Sequence, residues 1–251
     1  MRGIVDPPVL GADERHESPL HADLVALLHV TRLAEQDLFG LLNAEMRDGA
    51  GTIGDWSAKD VQAHIAAWRA IEARRLEARA GGTDPGNADD PAPEDPIDES
   101  NARLHTQHVG ASWEAVDADA DASLDALISA FGRSSFDTLC ECPDGIVAGN
   151  GANAANHAMV HLSDIARLGG GLARYDTLVS EIETILRRGH LPPRDSGVML
   201  YNIACHRALS GELDEARRLL RAAFSHRHDL LEPAAKDPDL DSLREELGAL
   251  A

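Results

Sequence analysis

The stretch Trp56-Ser57-Ala58-Lys59-Asp60-Val61-Gln62-Ala63-His64-Ile65-Ala66-Ala67-Trp68 (WSAKDVQAHIAAW) reads as the start of a helix that carries a histidine on its apolar side. Ser57 can accept a hydrogen bond from the free N–H groups of a helix N-terminus. Asp60, three residues on, can return a bond to the Ser57 backbone, as in a capping box. Val61, His64, Ile65, Trp68 and Ile71 then recur at spacings of three and four, which lines them up on one helical stripe. The helix is expected to run to about Ala80. A lone histidine facing a core usually just finds a hydrogen-bond partner, so His64 gains meaning only from what lies elsewhere in the chain.

The rest of the sequence repeats the helical period, and no stretch alternates long enough to argue for a sheet. Ser18-Pro19 is an N-cap followed by a first-turn proline. It opens a helix expected to reach about Met46, with Leu24, Leu27, Leu28, Leu38, Leu41 and Leu42 as its apolar face. The segment GGTDPGNADDPAPEDP (residues 81–96) has the composition of a long surface loop. Ile97 to His108 reads as a helix, and Ser112 recaps a continuation to about Phe131. Residues 132–150 read as irregular, with room for one short turn or strand. A further helix is expected from about Gly151 to Leu168, stopped by Gly169-Gly170-Gly171. The fold class is therefore all-α. Residues 1–17 read as an N-terminal tail, and 18–170 as a four-helix bundle.

Residues 171–251 differ in texture. Tyr201 to Cys205 and Ala208 to Ala216 place small residues around a glycine turn, the grammar of tetratricopeptide helix pairs. Residues 173–191 read as a degenerate copy, and Lys236 to Arg244 resembles the segment that closes such repeats. About three repeats are needed to stand alone. This tetratricopeptide-like region is therefore expected to pack on the bundle, to form a homodimer contact or to recruit a protein partner.

Composition limits the partners. Against 23 basic residues stand 43 acidic ones, for a net charge of -20, which repels phosphate backbones and anionic lipid. Neither nucleic acid nor membrane is expected as a partner. No apolar run approaches the roughly 20 residues needed to span a bilayer, and the N-terminal residues lack the apolar core of a signal peptide. A cytoplasmic location follows as the expectation. Cys140, Cys142 and Cys205 are too few and odd in number for a disulfide framework, and read as free thiols.

The second informative stretch is Asn156-His157-Ala158-Met159-Val160-His161-Leu162-Ser163-Asp164 (NHAMVHLSD). On a helix, Ala154, His157, Ala158, His161, Ile165 and Leu168 share a stripe, and four-residue spacing puts two imidazoles about 5 to 6 Å apart. In isolation the pair is as compatible with packing as with ligation. With His64 on a second helix, a burial cost of about 1 to 3 kcal/mol for each unpaired ring could be relieved by one shared divalent cation. Three histidines around an open position is also a donor set used by catalytic metals.

These residues carry a resemblance. Gly54 to Trp68 is similar to the second-helix signature of the DinB-like superfamily, closest to its ClbS/DfsB-like branch. Ile97 to Arg103, followed by Ser112-Trp113-Glu114, resembles the third helix of that branch, and His157-x-x-x-His161 resembles the superfamily's metal motif. The resemblance covers residues 18–170. It implies a four-helix bundle and, as in many members, a divalent metal (Zn or Ni) held by His64, His157 and His161. It also implies chemistry on electrophilic small molecules: thiol-dependent isomerases and S-transferases in the superfamily, with a low-molecular-weight thiol as cosubstrate, and hydrolases in the branch.

Function is thus expected to be activation of water or a thiol at a metal, with a non-catalytic sequestering or protein-interaction module as the alternative. No general base is identifiable. Asp164 could support the metal or simply pair with Arg167, and the ion pair is the favoured reading. His105 and His108 read as a solvated helix end, with one of them lining the pocket as the lesser alternative, Trp56 and Trp68 as packing residues, and His226 and His228 as surface. No phosphate loop, nucleophile elbow or HExxH is present.

Overall fold

The structure, a computed structural model of the chain, describes residues 18–51, 55–81, 95–140 and 151–251. The expected N-terminal tail, most of the Pro- and Asp-rich loop, Cys142 and most of the irregular stretch before Gly151 lie outside the described residues. Among those described the regular structure is helical, so the chain is all-α.

Helix α1 (Pro19–Phe39) starts where expected, with the Ser18 hydroxyl accepting from the His21 N–H. It ends earlier than its leucine pattern suggests. Gly40 closes it, and the N–H groups of Leu41 and Leu42 turn back onto the Leu38 and Phe39 carbonyls. Asn43 then caps a separate short helix α2 (Ala44–Asp48), its side chain accepting from the Met46 N–H. The capping side chain competes with continuation of the helix, so what periodicity alone presents as one helix is two.

Helix α3 (Ala58–Ala80) carries the complete capping box, with the Ser57 hydroxyl accepting from the Asp60 N–H at 3.1 Å and the Asp60 carboxylate accepting from the Ser57 N–H at 3.0 Å. Helices α4 (Ile97–His108) and α5 (Trp113–Arg133) are separated by a break at Gly110, with Ser112 capping α5. The segment read as irregular opens with a short helix α6 (Phe136–Cys140). Helix α7 (Gly151–Gly169) follows.

The long helices pack in a ring. Helix α3 lies against α5 and α7, and α1 lies against the same two. Small residues set the α3–α5 approach: Ala63, Ala66 and Ala73 on one side and Ala120 and Ala130 on the other are buried, and such side chains let helix axes come close. Leucines of α1 (Leu24, Leu27, Leu28, Leu38) and the apolar line Ala155, Met159, Leu162 and Ala166 of α7 fill the centre.

That centre also holds an ionic cluster. Glu35 is fully buried, and its carboxylate accepts from Arg69, from Arg32 Nη1 at 3.2 Å and from Gln62 Nε2 at 3.1 Å. Arg32 reaches on to Asp121 and Asp117 of α5, at 2.8 and 2.7 Å. One carboxylate thereby ties α1 to α3, and through Arg32 to α5.

Gly170 takes a left-handed φ of 69°, which ends α7, and the Gly171 N–H reaches back to the Ala166 carbonyl at 2.7 Å, as in a Schellman motif. A Cβ at Gly171 would stand 2.7 Å from Leu38 Cδ2 and 2.8 Å from Leu41 Cδ1, so α1 and the end of α7 are in close contact. Helix α8 (Leu172–Leu186) then folds back on α1 and α7, with the Tyr175 hydroxyl donating to the Met159 carbonyl at 3.0 Å. Helices α9 (Pro193–Leu209) and α10 (Leu213–His226) pair across the turn at Gly211. Short helices α11 (Leu231–Ala234) and α12 (Leu247–Leu250) and two 3-10 segments, His228–Leu230 and Pro238–Glu246, finish the chain.

The C-terminal helices thus pack on the preceding ones. Polar contacts add to this: Arg188 and His190 meet the buried Asp23 carboxylate at 2.7 and 2.8 Å, and Asn202 Nδ2 donates to the side-chain Oδ1 of Asn156 at 2.8 Å. No described helix is long and apolar enough to cross a membrane. Cys140 and Cys205 carry free thiols.

The ionic cluster makes a direct prediction. Replacing Glu35 by Ala takes the one carboxylate from the buried Arg69 guanidinium, while Arg32 keeps Asp117 and Asp121; breaking a buried pair in this way costs about 3 to 5 kcal/mol. Urea denaturation of the Glu35→Ala protein should show a fall of that order, and a loss below about 1 kcal/mol, the range of exposed ion pairs, would remove the cluster from any structural role.

Candidate metal centre and ligand cavity

His64 projects from the second turn of α3, and His157 and His161 from consecutive turns of α7, where the two helices meet. Their Nε2 atoms converge. His64 Nε2 lies 2.9 Å from His157 Nε2, which lies 3.1 Å from His161 Nε2. The rings sit edge to face, with centroids 4.7 to 4.9 Å apart. The structure thus brings all of the sequence-predicted ligand residues together, with one nitrogen of each within 4.8 Å of the others.

Burial decides their protonation. It pushes the His64 imidazole down from its ordinary value of 6.5 to about 3, with the nearby His161 adding to the effect. His157 is lowered well below the ordinary range by burial, then by His161, His64 and Arg69. His161 is lowered by burial, opposed in part by Asp164. Neutral imidazoles keep a lone pair, and the neutral ring is the form that ligates.

Three Nε2 atoms this close cannot satisfy one another with hydrogen bonds alone. If His157 Nε2 carries a proton it donates to only one neighbour, and if it does not, its single lone pair is shared between two donors. A cation among them accepts a lone pair from each ring, so the donor set fits an imidazole-binding divalent metal such as Zn or Ni. Packing orients His64: its ring lies edge to face with Trp56 at 5.0 Å and with Trp68 at 6.4 Å, and its Nδ1 is buried without a hydrogen-bond partner.

The imidazoles line one side of a cavity of about 320 Å³ between α3, α4 and α7. Trp56, Ile65, Trp68, Ala154 and Val160 supply apolar wall, and Asn101, Asn153 and Asn156 supply carboxamides. The tryptophans, read from sequence as packing residues, therefore face the cavity. Trp68 is fixed by its Nε1–H donating to Asn101 at 3.1 Å, and Trp56 by stacking on His105 at 5.3 Å.

Other sequence candidates lie elsewhere. Asp164 is exposed and accepts from Arg167 at 2.9 Å, as its favoured reading has it. His105 backs Trp56, with its Nε2 3.5 Å from Asp60, and does not line the cavity. His108 lines a separate depression between α3, α4 and α5, and His226 and His228 are exposed.

Sequence reading missed two residues at the far end of the cavity. Arg69, 2% exposed, and Glu72, 8% exposed, both line it. Arg69 Nε and Glu72 Oε1 are buried and have no hydrogen-bond partner. Burial raises the Glu72 carboxyl well above the carboxylate range. Asp195 adds to this, and Arg75, Arg79 and Arg69 oppose it. The signal available was spacing: His64, Trp68 and Glu72 recur every four residues on one helix.

The chain matches no family model, no curated protein and no solved structure. The reading of the site rests on its own chemistry.

A pH dependence follows for the metal-free protein. Unfolded imidazoles titrate near 6.5, whereas folded His64 titrates at about 3. Between those values the unfolded chain binds more protons, so stability rises with pH and is lost as pH falls. The slope is up to about 1.4 kcal/mol per pH unit for each such imidazole. Chelator-treated protein should lose stability between about pH 6.5 and 4, and His64→Asn should flatten the slope. An unchanged slope in that variant would show that His64 is not held neutral.

Proposed function

We propose that the chain is a metal-dependent enzyme of the DinB-like superfamily, in which α1, α3, α5 and α7 form the four-helix bundle and α9 and α10 a tetratricopeptide-like pair. The observation that carries this is the convergence of the His64, His157 and His161 Nε2 atoms beside a largely apolar cavity. The two helices that meet there are the ones that bear the resemblance, at Gly54 to Trp68 and at His157-x-x-x-His161.

A divalent ion held by these imidazoles would supply Lewis acidity, lowering the pKa of a water or a low-molecular-weight thiol so that it can attack an electrophilic small molecule. The chain's own residues do the rest. Burial keeps the three rings neutral at pH 7, so no proton need be removed before they ligate. Trp56, Trp68, Ile65 and Val160 exclude water and take the apolar body of the ligand. The Trp68–Asn101 hydrogen bond fixes one indole in place, which limits the ordering needed on binding.

The test is metal content. Purified protein, stripped and then titrated with Zn or Ni, should take up about one ion per chain. A His157→Ala/His161→Ala double variant should retain its helical circular dichroism and lose that uptake. Wild-type protein that binds neither ion stoichiometrically would end this reading.

A further inference from the structure

Among the described residues, His64 Nδ1 is buried and has no hydrogen-bond partner. A metal-binding imidazole is ordinarily aimed by a carboxylate, carbonyl or water on its second ring nitrogen. In place of that bond His64 has two indoles. Trp56 meets its ring at 5.0 Å with an interplanar angle of 63°, and Trp68 meets it at 6.4 Å and 79°. Its other ring contacts are His157 and His161 themselves, at 4.8 and 4.9 Å. Edge-to-face contact between rings is directional, so two indoles at different angles restrict the tilt of the imidazole as well as its position.

Both indoles are held in turn from α4. Trp68 Nε1–H donates to Asn101 Oδ1 at 3.1 Å, and the His105 ring stacks on Trp56 at 5.3 Å, 5° from parallel. Asn101 and His105 are four residues apart, which places them on one face of the helix. His105 is also anchored at the start of α3. Its Nε2 lies 3.5 Å from Asp60 Oδ2, the oxygen that accepts from the Ser57 N–H and hydroxyl. Helix α4 carries none of the converging imidazoles, yet it backs both rings that flank His64.

We infer that Trp56 and Trp68 are positioning residues for a divalent ion on His64, His157 and His161, and that Asn101 and His105 of α4 hold the two indoles in place. The indoles substitute for the missing bond at Nδ1. They keep the His64 ring turned so that its Nε2 stands 2.9 Å from His157 Nε2, on the side where the third imidazole converges. This rests on the reading of the same imidazoles as a metal site. It adds that a helix without ligands controls how tightly the ion is held.

The test is zinc affinity by chelator competition on the full chain, with the visible spectrum of the cobalt(II)-loaded protein as a second readout. Trp56→Leu should weaken zinc binding by about 10- to 100-fold, the usual effect of losing a group that orients a ligand. It should also shift the cobalt d–d bands, which report the geometry at the ion. Trp56→Phe, which keeps a ring beside the imidazole, should recover most of the loss. Trp113→Leu is the control, because Trp113 packs on Phe39 and does not line the cavity. It should lower stability to urea and leave both metal readouts unchanged. An Asn101→Ala/His105→Ala double variant leaves every ring around His64 present, and should move both readouts in the direction of Trp56→Leu by a smaller factor. The inference is overturned if Trp56→Leu binds zinc within about twofold of wild type, if Trp113→Leu weakens zinc equally, or if the double variant changes neither readout. Should Trp56→Leu fail to fold, the double variant decides. Wild-type protein that takes up no zinc defeats the metal enzyme and this inference together, whereas normal uptake that ignores Trp56 and α4 defeats only this inference.

Discussion

The buried carboxylate of Glu35 is the constraint on which the arrangement of the molecule depends. A charge with no solvent access has to be answered by donors on fixed elements, and here they are Arg32 on its own helix and Gln62 and Arg69 on α3. At about 100° per residue, Gln62 and Arg69 nearly coincide around the α3 axis, and His64 lies about 140° away from Arg69. Ile65, Glu72 and Trp68 fall within that arc. Holding Gln62 and Arg69 against α1 therefore fixes the rotation of α3, and that rotation turns the arc towards α7 and the cavity.

At the opposite margin of the arc, the histidines form a site whose properties come from their mutual closeness. A single buried imidazole can stay neutral and find one partner. Three with touching Nε2 atoms have more lone-pair density than their own protons can bridge, and protonating one disfavours protonation of the next. Burial and mutual repulsion act in the same direction, which is why the whole set stays in the ligating form.

Much of this could be read from the chain. Ser57 and Asp60 mark the start of α3, and Gly169 to Gly171 mark the end of α7, because caps and left-handed turns depend on local chemistry alone. Helical phase was also enough to put His64, His157 and His161 on inward faces. Two kinds of feature escaped. The break at Gly40 is hidden because leucines continue across it, and only the Asn43 side chain shows where the next helix begins. Glu35, Arg69 and Glu72 escaped because charged residues are normally solvated, and nothing local to them indicates that three helices will enclose them. Phase puts Trp68 on the inward stripe of α3 and says nothing of Trp56, which precedes the cap, and it does not distinguish a side chain that fills a core from one that borders a void, so both read as packing residues.

Helix α3 serves as the main strut of the ring and as the principal wall of the cavity, and this narrows how the protein can change. From Val61 to Ala73, only Ala67, Trp68 and Ala70 escape full burial, and Trp68 borders the cavity. Substitution at His64, Ile65, Arg69 or Glu72 therefore alters the packing of the helix and the lining of the cavity together. Ile97 and Asn101 on α4 and Val160 on α7 also line the cavity, yet none of them is part of the buried core. Change in the lining of the cavity, by natural drift or by design, has its freest route through Ile97 and Val160, with α3 carried along unchanged.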